Sequence, residues 1–132
     1  MSFRLERKVL FRDCDPAGIV FYPRYFEMMN DTVEAWFDGP LATPFEEVIR
    51  TGGVPTVAVE CQFRAPSRHG DRLTLTLTPI RIGGASLDLT ITATAGEEVR
   101  FDARLTVVHL GPDFRAARWP DDLRARIEGQ MA

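Results

Sequence analysis

Lysine is nearly absent from this chain: Lys8 stands alone, and arginine supplies the rest of the 16 basic residues. Such a bias reports genomic base composition as readily as phosphate binding. Against 19 acidic residues the net charge is -3, with both signs scattered, so nothing electrostatic argues for a nucleic-acid or membrane-surface protein. Cysteine is also scarce. Cys14 and Cys61 lack the CxxC or Cys/His spacing of a zinc site, which predicts buried free thiols in a reducing compartment; no metal or redox cofactor is expected. No long apolar run occurs, and charges interrupt the opening MSFRLERKVLF, which excludes a signal peptide or membrane span there and makes a cytoplasmic location the expectation. His69 and His109 have no ligand spacing, and Ser67 sits in no GxSxG elbow, so a serine-hydrolase triad is rejected.

What remains is an ordinary share of apolar residues, 45% of 132, enough to bury one core and predicting a single domain over 1–132. No repeats or linkers divide it. In residues 3–11, Phe3, Leu5, Val9 and Phe11 follow a period of two that only Arg7 breaks, predicting a strand. From Pro23 to about Asp38 the period lengthens: Tyr22, Phe26, Met29, Val33 and Trp36 share one face of an amphipathic helix and Glu27, Asp31, Glu34 and Asp38 another. Pro23 suits its first position and Gly39-Pro40 its end. A short helix is predicted over 44–50 and a terminal one within WPDDLRARIEG.

Between them lie four alternating segments. Their apolar positions are Val57, Val59, Cys61 and Phe63; Leu73, Leu75 and Leu77; Leu87, Leu89 and Ile91; and Val99, Phe101, Ala103, Leu105 and Val107. The interleaved threonines form a solvated outer face. Gly83-Gly84 predicts a two-residue hairpin turn. Facing residues would then sum to 167 and set the leucines of 73–77 against threonines, so one extra residue is required. Pro79, lacking a ladder amide, is the candidate bulge, with Ile80 facing Leu87 and Leu77 facing Leu89, a three-residue loop being the other repair. One strand, one long helix and four strands predict an α+β fold: an antiparallel sheet of about five strands wrapped around one central helix.

The segment DCDPAGIVFYPRYF, residues 13–26, places carboxylates in a tight turn before that helix. Read by itself, Asp15-Pro16 initiates a turn, Asp13 serves a turn or salt bridge, and Gly18 supplies a backbone conformation or close approach. Asp13, Asp15, Pro16, Gly18, Ile19, Val20, Tyr22, Pro23 and Tyr25, at this spacing between a strand and a helix, resemble the hot-dog fold thioesterases of the 4-hydroxybenzoyl-CoA thioesterase type. The Gly70-Asp71 pair is similar but less specific. The resemblance implies an acyl-CoA thioesterase acting on an aryl-CoA or short acyl-CoA. Asp15 would be nucleophile or general base, and the Tyr22 backbone amide would help bind the thioester oxygen. That division of labour is physically sensible. Amides in a helix's first turn lack intrahelical acceptors and carry partial positive charge, so they stabilise an oxyanion, and a thiolate leaves without prior protonation.

By the same resemblance Gly18, Ile19, Tyr25 and Asn30 are candidate substrate-binding residues. Arg64, Arg68 and Arg81, with Arg72 and Arg104, are candidates for CoA phosphates by charge, against the plainer reading of solvated surface arginines. Asn30 stands where some hydroxybenzoyl-specific members carry Asp, and the IGGAS turn lacks their basic residues; Pro23 stands where short-aliphatic relatives often show His. The resemblance further implies a homodimer or homotetramer with active sites at subunit interfaces. The competing class is a non-catalytic hot-dog module that binds acyl-CoA or an acyl carrier. Phe21, Tyr22, Tyr25, Phe26, Trp36 and Phe37 form an aromatic stripe, which is core in most helices and pocket in few.

Overall fold

A computed structural model describes residues 2–131. Strand β1 covers Phe3–Lys8, helix α1 Pro23–Asp38, the short helix α2 Phe45–Val48, strands β2 to β5 Thr56–Phe63, Arg72–Ile82, Ser86–Ala95 and Glu98–Val108, and helix α3 Asp121–Met131. The strands form one antiparallel sheet in the order β1-β3-β4-β5-β2. This is the expected hot-dog arrangement, with α1 packed on the inner face against β1 and β3. Leu73, Leu75, Leu77, Leu87, Leu89 and Ile91 are fully buried there, as alternation predicted.

Helix α1 begins at Pro23, whose missing amide costs a first turn nothing. Its buried stripe is Tyr25, Met28, Met29, Thr32, Val33, Trp36 and Phe37, about one position round from the predicted face. Tyr22 and Phe26 therefore fall at its margin. Strand β1 is shorter than predicted: after Val9 the chain enters a single 3-10 turn, Phe11–Asp13, which leaves Phe11 81% exposed.

The sheet needs three irregularities, and only one was anticipated. In the β3–β4 hairpin, Gly83 N–H donates to Ser86 O, so the turn residues are Gly84 and Ala85 rather than Gly83 and Gly84. The extra residue is Ile80, 44% exposed, not Pro79, which pairs with Leu89 and is buried; Leu77 faces Ile91 and Ile82 faces Leu87. Moving the turn by one position moves the bulge by one while keeping every leucine inside. A second irregularity at Arg100 sets Val99 opposite Thr94, so Val99 leaves the predicted inner face. A third removes Val57 from the β2 ladder, while Val59, Cys61 and Phe63 pair with Leu105, Ala103 and Phe101.

Candidate active site

Backbone hydrogen bonds fold residues 13–21 into a small hairpin between β1 and α1. The Asp15 amide donates to Ile19 O (3.0 Å), Gly18 N–H to Asp15 O (2.9 Å) and Phe21 N–H to Asp13 O (2.9 Å), while Cys14 bridges to Val20. Gly18 has φ +79°, and a Cβ there would meet nothing within 4 Å of this chain. The turn thus needs glycine for its left-handed backbone rather than for room. Behind it, the chain after β2 forms a wall: Val20 N–H donates to Ser67 O at 2.8 Å and Ile19 pairs with Arg68.

Asp15 sits half-buried at the hairpin tip. Its Oδ1 accepts from Ala17 N–H at 2.9 Å, the turn-initiating role that Asp-Pro plays by itself, and its other oxygen has no partner among the described residues. Tyr22 lies just beyond the hairpin base as the residue preceding α1. Arg24 and Tyr25 amides bond back to Phe21 and Tyr22 carbonyls, whereas the Tyr22 amide has no acceptor among the described residues. The fold therefore holds one carboxylate oxygen and one helix-terminal donor available on a single pinned segment.

The other predicted residues scatter. Tyr25 turns inward: its hydroxyl donates to Ser67 Oγ at 2.9 Å, and its ring packs 5.0 Å from Phe101 and 5.9 Å from Phe63. Burial raises its pKa, a push that the Ser67 hydrogen bond only partly offsets. Asn30 is exposed on α1, two turns beyond Tyr22. Arg64 is engaged with Asp102 at 2.7 Å across β2 and β5, Arg68 lies beside Ile19, and Arg81 lies on the outer side of the β3–β4 hairpin. The structure thus brings Arg68 to the hairpin and leaves Arg64 and Arg81 elsewhere on the sheet. The aromatic stripe divides: Tyr25, Trp36 and Phe37 are core, Phe21 and Tyr22 are exposed, and Phe63 joins them from β2, 6.1 Å from Tyr22 and 6.3 Å from Phe26.

The salt-bridge reading of Asp13 is correct, and Arg7 is its partner. Asp13 is 2% exposed; its Oδ2 accepts from Leu10 N–H at 2.8 Å and its Oδ1 from Arg7 Nη2 at 3.1 Å. The same guanidinium donates through Nη1 to Asp31 Oδ2 at 2.8 Å, joining β1, the hairpin and α1. Burying a carboxylate costs several kcal/mol unless paired, and here both oxygens are met. Beside this clamp a cleft of about 640 Å³ runs along α1, lined by Arg7, Arg12, Asp13, Arg24, Phe26, Glu27, Asn30 and Asp31. Sequence reasoning placed only Asn30 in a substrate role. The signal for the rest was Arg7, the one charge on an otherwise apolar strand face. Among the described residues no group of three or more His, Cys, Asp or Glu could hold a metal ion, and no helix is long and apolar enough to cross a membrane. Cys14 is pushed up by burial first, then by the charges of Asp13 and Asp15.

Comparison with known proteins bears on this arrangement. The family model of the thioesterase-like superfamily matches residues 9–127. A 1,4-dihydroxy-2-naphthoyl-CoA hydrolase of Synechocystis sp. is 32% identical over 79 residues, 58% of this chain and 56% of that protein. A 4-hydroxybenzoyl-CoA thioesterase of Pseudomonas sp. strain CBS-3 is 30% identical over 77 residues, 56% of this chain and 55% of that one. The chain thus spans about half the length of these curated relatives. The solved structure of a gentisyl-coenzyme A thioesterase superposes with a TM-score of 0.87 at 26% identity, covering 95% of this chain and 99% of that one.

Proposed function

This chain belongs to the thioesterase-like superfamily, and from that premise we propose that it hydrolyses an aryl-CoA or short acyl-CoA thioester to the free acid and CoA. The observation that carries the reading is the pinned hairpin that holds Asp15 with one free oxygen just ahead of the unoccupied Tyr22 amide. In one route the Asp15 carboxylate attacks the thioester carbon, the C–S bond breaks with its electron pair leaving on sulfur, and water then hydrolyses the acyl-aspartate. In the other, Asp15 takes a proton from water, whose oxygen makes the same attack. Either route puts negative charge on the carbonyl oxygen, where the Tyr22 amide donates. Gly18 shapes the turn, and Ile19, Asn30 and Tyr25 surround the acyl group, Tyr25 by fixing the wall through Ser67. Arg68, beside the hairpin and with a free guanidinium among the described residues, contacts the CoA phosphates, whereas the Asp102 pairing of Arg64 and the distant place of Arg81 argue against those two in the same role.

The active protein is a homodimer or homotetramer with sites at protomer interfaces, because β2 offers an unpaired edge and an apolar face that its own chain leaves open. Its two free thiols suit the cytoplasm. The hydrogen bond from Ala17 to Asp15 Oδ1 favours a second reading, a hot-dog module that binds acyl-CoA without cleaving it, since that carboxylate then has a purely structural use. Thiol release from a panel of benzoyl-, phenylacetyl- and short aliphatic CoA esters separates the two. Asp15→Asn should abolish release by at least about a thousandfold while ligand binding persists. Wild-type protein that frees no thiol from any ester would leave only the binding module.

A further inference from the structure

Every acid on the wall of the α1 cleft already faces an arginine. Asp13 and Asp31 both hold Arg7, at 3.1 and 2.8 Å, and Glu27 holds Arg24 at 3.1 Å. Two polar side chains on the same wall are left over: the Arg12 guanidinium and the Asn30 carboxamide have no hydrogen-bond partner among the described residues. Phe26 adds an aromatic surface to the same wall, its ring 6.3 Å from Phe63, which lies 6.1 Å from Tyr22. The cleft's three arginines and three carboxylates balance overall, but because Arg7 serves two acids, Arg12 is the one cation without a direct ion pair, and the wall adds a neutral amide and a ring face. At about 640 Å³ it has the capacity of a small-molecule site.

We infer that this cleft selects the acyl half of the thioester, and that it takes an aryl group bearing an ionised substituent, a ring carboxylate, with Arg12 as ion partner and Asn30 as hydrogen-bond donor. Guanidinium meets carboxylate in a planar, two-pronged fit that a phenol cannot offer. The ring lies on Phe26, which points its thioester end toward the α1 N-terminus. This inference rests on the hydrolase reading and adds the substrate class to it.

The test compares kcat/KM for benzoyl-CoA, hydroxybenzoyl-CoA and the three isomeric carboxybenzoyl-CoA monothioesters, with benzoyl-pantetheine as a substrate free of CoA phosphates. One carboxybenzoyl isomer should exceed benzoyl-CoA by about ten- to a hundredfold, the range of a charge-assisted contact. Arg12→Ala should bring that ratio to near one, Arg12→Lys should keep part of it, and Arg118→Ala, on exposed chain away from the cleft, should leave the ratio intact. The inference is overturned by a wild-type preference for plain or hydroxylated rings. It is overturned equally if Arg12→Ala slows benzoyl-CoA but spares benzoyl-pantetheine, because Arg12 then reads a phosphate. Should no thioester be cleaved, the hydrolase reading fails separately, and calorimetric binding of benzenedicarboxylates against benzoate to wild type and Arg12→Ala decides the anion site alone.

Discussion

Strands β2 and β3 carry the same apolar-polar alternation and meet opposite fates. Leu73, Leu75 and Leu77 of β3 are fully buried, whereas Val59 and Phe63 of β2, on the same inner face, remain 40% and 49% exposed. The difference lies in position rather than composition. Strand β3 sits between β1 and β4 with α1 lying over it, while β2 is an edge strand beyond β5 at the margin of the helix. Alternation states which face is apolar; it does not state whether the same chain covers that face. On β2 the uncovered Phe63 adjoins Tyr22 and Phe26, so the open side of the core there is also the side where the candidate site lies.

This contrast can be broken at several points. Leu77→Ala should cost about 2–5 kcal/mol in denaturant unfolding, since it empties space that neighbours cannot refill. A cost below about 1 kcal/mol would mean that the inner face is less tightly packed than its burial implies. Cys61, on β2 but half-sheltered, has its thiol pushed up to about 11, by burial first and the Asp102 charge second. Alkylation near neutral pH should run about a hundredfold slower than for an ordinary cysteine, the thiolate fraction falling tenfold per unit. Rapid labelling would show that β2 opens from β5.

Where the chain enters β3, Asp71 is held below its ordinary carboxylate value, chiefly by the Arg100 hydrogen bond at 2.7 Å and then by the Arg68 amide. A depressed folded pKa adds stability that is complete above the ordinary value of 3.8 and disappears as pH falls through the lower folded value. Asp71→Asn should therefore cost up to about 1 kcal/mol at neutral pH and nothing once both states are protonated. An equal cost at every pH would assign the loss to hydrogen-bond geometry alone. The smallest effect is expected on β2: Val59→Thr should change unfolding by less than about 0.5 kcal/mol, measured at high dilution. A loss matching that of Leu77→Ala would mean that a single chain covers this face, and the contrast would collapse.

Much of the local geometry of the candidate site was legible because its parts are near neighbours along the chain. Pro23 and the following periodicity fixed where α1 starts, and Asp15, Gly18 and Tyr22 all lie within eight residues, with the turn at Asp15 and Gly18 closed by its own backbone hydrogen bonds. The cleft was not legible. Arg7, Arg12 and Asp31 come together only because β1 and α1 pack against each other, and no spacing along the chain encodes that meeting. Tyr25 shows the same limit in reverse: it belongs to the motif by position, but packing directs its hydroxyl to Ser67 in the core.

By itself the sequence determined the element order, the inner faces of β3 and β4, the start of the long helix and the turn that carries Asp15, since each follows from dihedral preference, periodicity or bonds between near neighbours. The tertiary structure decided which residue bulges out of the β3–β4 hairpin, which charges pair across the cleft and which apolar strand stays open. Those outcomes depend on competition between distant segments for the same space and the same hydrogen-bonding groups, a contest that is settled only when the sheet closes over the helix.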